Sequence, residues 1–313
     1  MEIRPDQRSL WLSRSRRSLC SRLRAGALLA ATLALATLAL AACSAAPATS
    51  VNPATSGTAG LSDLPGPDHP AWLLARSVLA QLVLDPVAVS ELNGKLVYEI
   101  DQPGEPPLPR VVAEPVVTFA SAAALESAVD AGQVPSGTFG VLYDPEAWVF
   151  TPVAEQQNPV QAATAAAAVA HAHGLRLIVT PAIDLATVLD PNGKGPEWRQ
   201  FLDLDLAGRL AKVADVIEIQ AQSLEQDTSV YAAFVQAAAA QATAARSGID
   251  LLAGLSTNPP GVAIDATELT AGVRATRSVV DGYWLNVPAR GAQCPTCHAA
   301  QPEMAAQVLG VAP

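Results

Sequence analysis

The 313-residue sequence lacks several features that mark large protein classes. Aromatic residues make up 4% of it and charged residues 15%, against 50% hydrophobic residues. Disorder as the main state is excluded, because disordered chains combine low hydrophobicity with high charge. Long apolar runs are scarce as well. One uninterrupted stretch lies near the N-terminus, and the remaining apolar content is mostly Ala and Val spread through the chain, which excludes a polytopic membrane protein. Basic residues number 19 against 29 acidic ones, a formal charge of −10. Phosphate contacts need clustered Lys and Arg, so this balance argues against a nucleic-acid partner. There is no internal repeat of short period.

The charge that is present is divided unequally. Residues 1–42 carry seven Arg against Glu2 and Asp6 (+5), and the other 271 residues carry 12 basic and 27 acidic side chains (−15). Arg14, Arg16, Arg17, Arg22 and Arg24 precede the apolar run Ala25–Ala42, the arrangement of a secretory leader. A transmembrane helix is the alternative for a run of that length. Its end, Leu40-Ala41-Ala42-Cys43, resembles the lipobox of bacterial lipoprotein signal peptides. The resemblance implies cleavage before Cys43 and acylation of its thiol. Membrane lipid would then be a partner, and the protein would sit on the extracytoplasmic face. Ser15-Arg16-Arg17-Ser18-Leu19 partly resembles a twin-arginine signal. Residues 43–70, rich in Ala, Pro, Ser, Thr and Gly, read as a flexible linker.

Residues 71–313 have the length of one (β/α) barrel. Short β-rich runs at Lys95–Ile100, Val116–Ala120, Phe139–Asp144, Leu175–Thr180, Val216–Gln222, Leu251–Ser256 and Gly282–Asn286 alternate with Ala-rich helical stretches. One helix is expected from Pro159 to His173, with Asn158 as N-cap and Gly174 as its stop. Others are expected over 197–214, 229–247 and 266–279. The rhythm predicts parallel βαβ units in a (β/α)8-type, TIM-like barrel, of which only six or seven strands are readable, too few to show it complete. An open doubly wound sheet is the alternative, but the Gly-rich phosphate turn that usually follows its first strand is absent. The segment 71–115 has no clear pattern, and Gln102–Arg110 is a Pro-rich loop.

In such barrels function lies at the C-terminal strand ends. Polar residues there are Asp144, Glu146, Thr180, Asp184, Glu218, Gln220, Gln222, Ser256, Asn258, Trp284 and Asn286. The spacing of two places Glu218, Gln220 and Gln222 on one face of a strand. Carboxylates and amides bond sugar hydroxyls, and Trp covers the apolar face of a ring. Asp144, Glu146 and Glu218 are the candidate catalytic residues, with Glu146 or Glu218 as acid and Asp144 as its partner. Thr180, Gln220, Gln222, Ser256, Asn258, Trp284 and Asn286 are the candidate substrate-binding residues for a glycan. The bland alternatives are a capped turn at Asp144-Pro145-Glu146 and a structural ion pair for Glu218, for instance with Arg176. Residues 139–290 resemble glycoside-hydrolase-type (β/α) barrels in rhythm and acidic strand ends, and are similar to secreted proteins of high-GC bacteria. The resemblance implies carbohydrate-directed activity, or a non-catalytic binding or scaffold lipoprotein that kept the fold. The Asp-x-Asp-x-Glu pattern of chitinases does not align.

Cys294-Pro295-Thr296-Cys297-His298 has the form of a c-type haem attachment motif. It follows a barrel strand, and Met304 lies only six residues beyond His298. A short-range disulfide between Cys294 and Cys297 is the favoured reading, with a haem protein the remote alternative. His171 and His173, at a helix end on the opposite barrel face, read as solvated residues rather than metal ligands. No cofactor or metal is expected.

Overall fold

In the computed structural model, the described residues are 70–313 apart from 94, 106–107, 109–111, 260–262, 292–293 and 312–313. The expected leader and linker, Cys43 and much of the segment Gln102–Arg110 lie outside the described residues.

Eight parallel strands close into a barrel in chain order: β1 Ala71–Ala75, β2 Val97–Asp101, β3 Glu114–Phe119, β4 Gly140–Tyr143, β5 Arg176–Val179, β6 Val216–Ile219, β7 Asp250–Ser256 and β8 Gly282–Asn286. The closing seam pairs β1 with β8, Leu73 opposite Trp284. The barrel is therefore complete. Its first strand, AWLLA, is hard to see in the sequence because helix Arg76–Leu82 follows at the next residue, with no Gly or Pro between them.

Period-two alternation sorts the side chains into two cores. Ala71, Leu73, Tyr98, Ile100, Val116, Leu142, Ile178, Val216 and Leu252 fill the barrel interior. The other face of each strand, such as Trp72, Val117, Val141, Leu177 and Ile217, packs against the surrounding helices. Ala-rich helices suit this outer layer, since small side chains let them approach the sheet closely. Pro159–Ala172 buries Ala162, Ala163, Ala166, Ala167 and Ala170, and Thr228–Ala245 buries Ala238, Ala239 and Ala242 beside Tyr231 and Phe234.

The helices differ from expectation in two places, and one strand differs in length. Asn158 precedes Pro159, but its side chain makes no cap and its amide donates instead to the Ala154 carbonyl at 3.3 Å. Gly174 ends that helix at φ +69°. The stretch 197–214 is two helices, Glu197–Asp203 and Leu206–Ala211. They break at Asp205, whose left-handed φ of 51° is one that Asp tolerates, and a Cβ at Gly208 would lie 2.4 Å from the Asp205 carboxylate. The strand expected over 216–222 ends at Ile219. Among the described residues no helix is long and apolar enough to cross a membrane.

Candidate active site

Asp144, Thr180 and Gln220 each stand just past the end of β4, β5 and β6. Thr180 Oγ1 donates to Asp144 Oδ1 at 2.6 Å, and Gln220 Nε2 donates to the same oxygen and to the Thr180 carbonyl, both at 2.9 Å. These bonds tie the ends of three strands around one carboxylate oxygen.

Glu218 lies one inward position below Gln220 on β6. It is 0% exposed, and neither of its carboxyl oxygens has a hydrogen-bond partner. An ionised carboxylate is costly in such surroundings. Burial first, and then the charges of Asp144 and Glu146, hold Glu218 well above the ordinary carboxylate range. Burial likewise pushes Asp144 up to about 6, with the Thr180 and Gln220 hydrogen bonds pulling it back. Glu146 rises further, to about 8, through burial and the charges of Asp144 and Asp184, against a hydrogen bond from Gln220. Near neutral pH these values leave Asp144 ionised and Glu146 protonated. The sequence alternative of an Arg176–Glu218 pair does not form: Arg176 begins β5 at the other end of the barrel and pairs with Asp250 at 3.5 Å.

The loop carrying Glu146 is held from several sides. The Thr151 hydroxyl donates to the Ala120 carbonyl at 3.0 Å while accepting from the Glu146 backbone N–H at 3.3 Å and the Trp148 indole N–H at 2.9 Å. Gln156 Nε2 donates to the carbonyls of Trp148 and Thr151. Asp184 Oδ1 accepts from the Ala147 N–H at 3.0 Å, and burial raises its own carboxyl. Asp184, four residues beyond Thr180, thus joins the carboxyl set. Thr151 and Gln156 support it from a loop and short helix that carry no sequence signal of that role.

The remaining candidates divide into two groups. Gln220, Gln222, Trp284 and Asn286 are partly exposed at the mouth. Gln222 follows the strand end, and the next residue, Ser223, takes a left-handed φ of 80°. The Gln222 amide occupies the space over Gly254, where a Cβ would come within 2.4 Å of it. The Gln222 Oε1 and Trp284 Nε1 atoms are buried and have no partner. Ser256 and Asn258 are buried beneath the rim, and their polar atoms are engaged with backbone. Ser256 Oγ accepts from the Asn258 N–H at 3.2 Å, and the Ser256 N–H donates to Glu225 Oε1 at 2.8 Å. Asn258 Nδ2 donates to the carbonyls of Pro288 and Ala299, and its Oδ1 accepts from the His298 N–H at 3.3 Å.

Cys294 and Cys297 form a disulfide, which leaves neither sulfur available to a haem. His171 Nε2 lies 2.7 Å from Asp215 Oδ2, away from the mouth, and His173 bonds the Val169 carbonyl. Among the described residues no three His, Cys, Asp or Glu side chains are placed to hold a metal ion.

No protein-family model matches the chain, and no curated protein does. Several solved structures are similar to it. A chitinase from Chromobacterium violaceum is 13% identical, covering 78% of this chain and 99% of that one, with a TM-score of 0.45. A curdlan-specific exo-beta-1,3-glucanase from Blastomyces gilchristii is 15% identical over 78% and 98%, with a TM-score of 0.42. A putative alpha-L-fucosidase from Bacteroides thetaiotaomicron is 10% identical over 74% and 84%, with a TM-score of 0.44. Likenesses at this level assign no activity.

Proposed function

We propose that this chain is a glycosidase-like enzyme whose barrel mouth hydrolyses a glycosidic bond with paired carboxyls. The supporting observation is the grouping of Asp144 and Glu146 at the Gln220 amide, with Glu218 near enough to feel both charges and the protonation states of Asp144 and Glu146 pushed apart by their surroundings. Hydrolysis of this kind needs one protonated and one ionised carboxyl on the same bond.

Glu146 is the general acid. It is partly exposed on the rim and holds its proton near neutral pH. Its proton passes to the leaving glycosidic oxygen as the bond to the anomeric carbon breaks. Asp144 is the ionised partner, its orientation fixed by Thr180 and Gln220. It faces the positive charge that develops at the anomeric carbon and receives the second proton of the water whose hydroxyl ends there. Glu218 is fully buried with both oxygens unpartnered, and no step is assigned to it. Trp284 offers a ring face to the sugar. Glu146→Gln and Asp144→Asn are expected to abolish turnover on a glycan panel while the circular dichroism spectrum is unchanged. Wild-type protein with no turnover on any panel member overturns the reading and leaves a binding or scaffold role.

The proposal extends to location. Cys43 at the end of Ala25–Ala42 would carry the lipid that holds the barrel on the extracytoplasmic face of the membrane. Palmitate labelling should be lost in Cys43→Ala, and retained labelling overturns the anchor.

A further inference from the structure

The carboxyls at the mouth lack counter-charge. Among the described residues, Asp144, Glu146, Asp184 and Glu218 form no ion pair with Lys, Arg or His. The ion pairs that do occur join Arg76 to Glu99 and Asp101, Lys95 to Glu91, Arg176 to Asp250, and His171 and Arg246 to Asp215. Buried carboxylates are ordinarily paired with a cation or kept neutral by a raised pKa. This chain takes the second course: holding protons is how the cluster limits its charge.

Acidity alone would be a weak sign of a ligand, but unmatched buried atoms point the same way. Glu218 is 0% exposed on the inward face of β6 with both oxygens unpartnered, and Gln222 Oε1 is unpartnered as well. Gln222 Oε1 is an acceptor only, and both Glu218 oxygens become acceptors once that carboxyl gives up its proton. Trp284 Nε1, at the mouth, is an unmatched indole donor. A ligand that brings donors and positive charge would draw off the Glu218 proton and satisfy all three oxygens. An ammonium group has three donors and no acceptor.

We propose that the mouth selects glycans bearing a free amino group, an unacetylated amino-sugar unit, over neutral or N-acetylated ones. The proposal rests on the glycosidase reading of the same carboxyls. The ammonium would take the place of the missing counter-charge, with the Trp284 face beside it. Acetylation removes that charge and adds a carbonyl acceptor to a mouth already rich in acceptors. An acidic sugar would be repelled.

A cation favours the ionised form of neighbouring carboxyls, so ammonium binding near neutral pH should expel protons from the cluster. A neutral sugar should expel few. Isothermal titration of wild-type protein with glucosamine oligomers, their fully N-acetylated counterparts and neutral glucan oligomers, each in two buffers of different ionisation heat, separates these cases. The free-amine oligomers are expected to bind about tenfold or more tightly than the others, with salt-sensitive affinity and net proton release. In Asp184→Asn, which keeps an oxygen for the Ala147 N–H, the preference should shrink severalfold. Equal or tighter binding of the acetylated or neutral oligomers overturns the inference, and so does free-amine binding without proton release. Turnover of neutral or acetylated glycans with no amine preference would sink this inference and leave the glycosidase reading standing. Amine-selective binding without turnover of any glycan would do the reverse, and no binding at all would remove both.

Discussion

The Gln220 amide bonds the Asp144 carboxylate at 2.9 Å across an intervening strand, from the end of β6 to the end of β4. Alternate strands meet through inward-facing side chains rather than through the backbone ladder, and here they do so at the strand ends. The bond orients Asp144 and favours its ionised form. Gln220→Leu would remove it and leave Thr180 alone on the same oxygen. Hydrogen bonds to charged groups contribute about 1.5–3 kcal/mol, so kcat should fall by about tenfold to a hundredfold with KM changing less. The acid limb of the pH profile should move upward, because Asp144 loses one of the two bonds that hold its pKa down. A loss of kcat with an unmoved acid limb would contradict this role and point to simple structural damage.

Wild-type activity should be bell-shaped in pH. Asp144, pushed up to about 6, must be ionised, and Glu146, pushed up to about 8, must be protonated. Activity therefore rises through the lower value and falls through the higher one, giving an optimum between them. The two carboxyls interact, so the limbs belong to the pair rather than to either residue alone. A profile still rising above pH 9 would exclude a carboxyl as the acid.

Much of this site is legible in the sequence because it sits where apolar runs end. Asp144, Thr180 and Gln220 are the first polar inward residues after VLY, LIV and VIEI. What is not legible depends on partners far along the chain. Ser256 and Asn258 occupy an equally suggestive position, yet Glu225 and the backbone of residues 288–299 claim their polar atoms. Thr151 and Gln156 have no polarity pattern that distinguishes them from other loop residues. The fold follows the same division. Strands punctuated by turns are readable, whereas β1 runs directly into a helix and the break at Asp205 arises from one left-handed residue.

Stability should fall as pH rises from about 5 to about 8. Glu225 is fully buried, and burial lifts its carboxyl to about 7 against the pull of several backbone N–H groups. Its folded pKa thus lies above its unfolded value, so the folded state binds the proton more tightly. That contribution is fully present below the unfolded pKa and is lost as pH rises through the folded one. Glu225→Gln mimics the protonated form and should flatten the slope, with a difference from wild type of about 1–3 kcal/mol between pH 5 and pH 8. Chemical denaturation at the two pH values measures it. A wild-type protein more stable at pH 8 than at pH 5 would show that carboxyls of this kind do not govern the balance.

The loop after β8 is held twice, and the two devices should not add. The Cys294–Cys297 disulfide closes a short ring, for which the chain-entropy model gives about 2 kcal/mol. The buried Asn258 side chain holds the backbone of Pro288, His298 and Ala299 from the β7 side, and Arg290 Nε donates to the Cys297 carbonyl at 3.1 Å. Asn258→Ala removes three hydrogen bonds. Their loop partners can turn to water, so the expected cost is about 1–3 kcal/mol. Removing either restraint loosens the loop and weakens the other with it, so the second change has less left to remove. Thermal melts of wild type, Asn258→Ala, Cys294→Ser/Cys297→Ser and the triple variant should give a combined loss smaller than the sum of the separate losses. Strict additivity would mean that Asn258 and the disulfide stabilise different parts of the molecule.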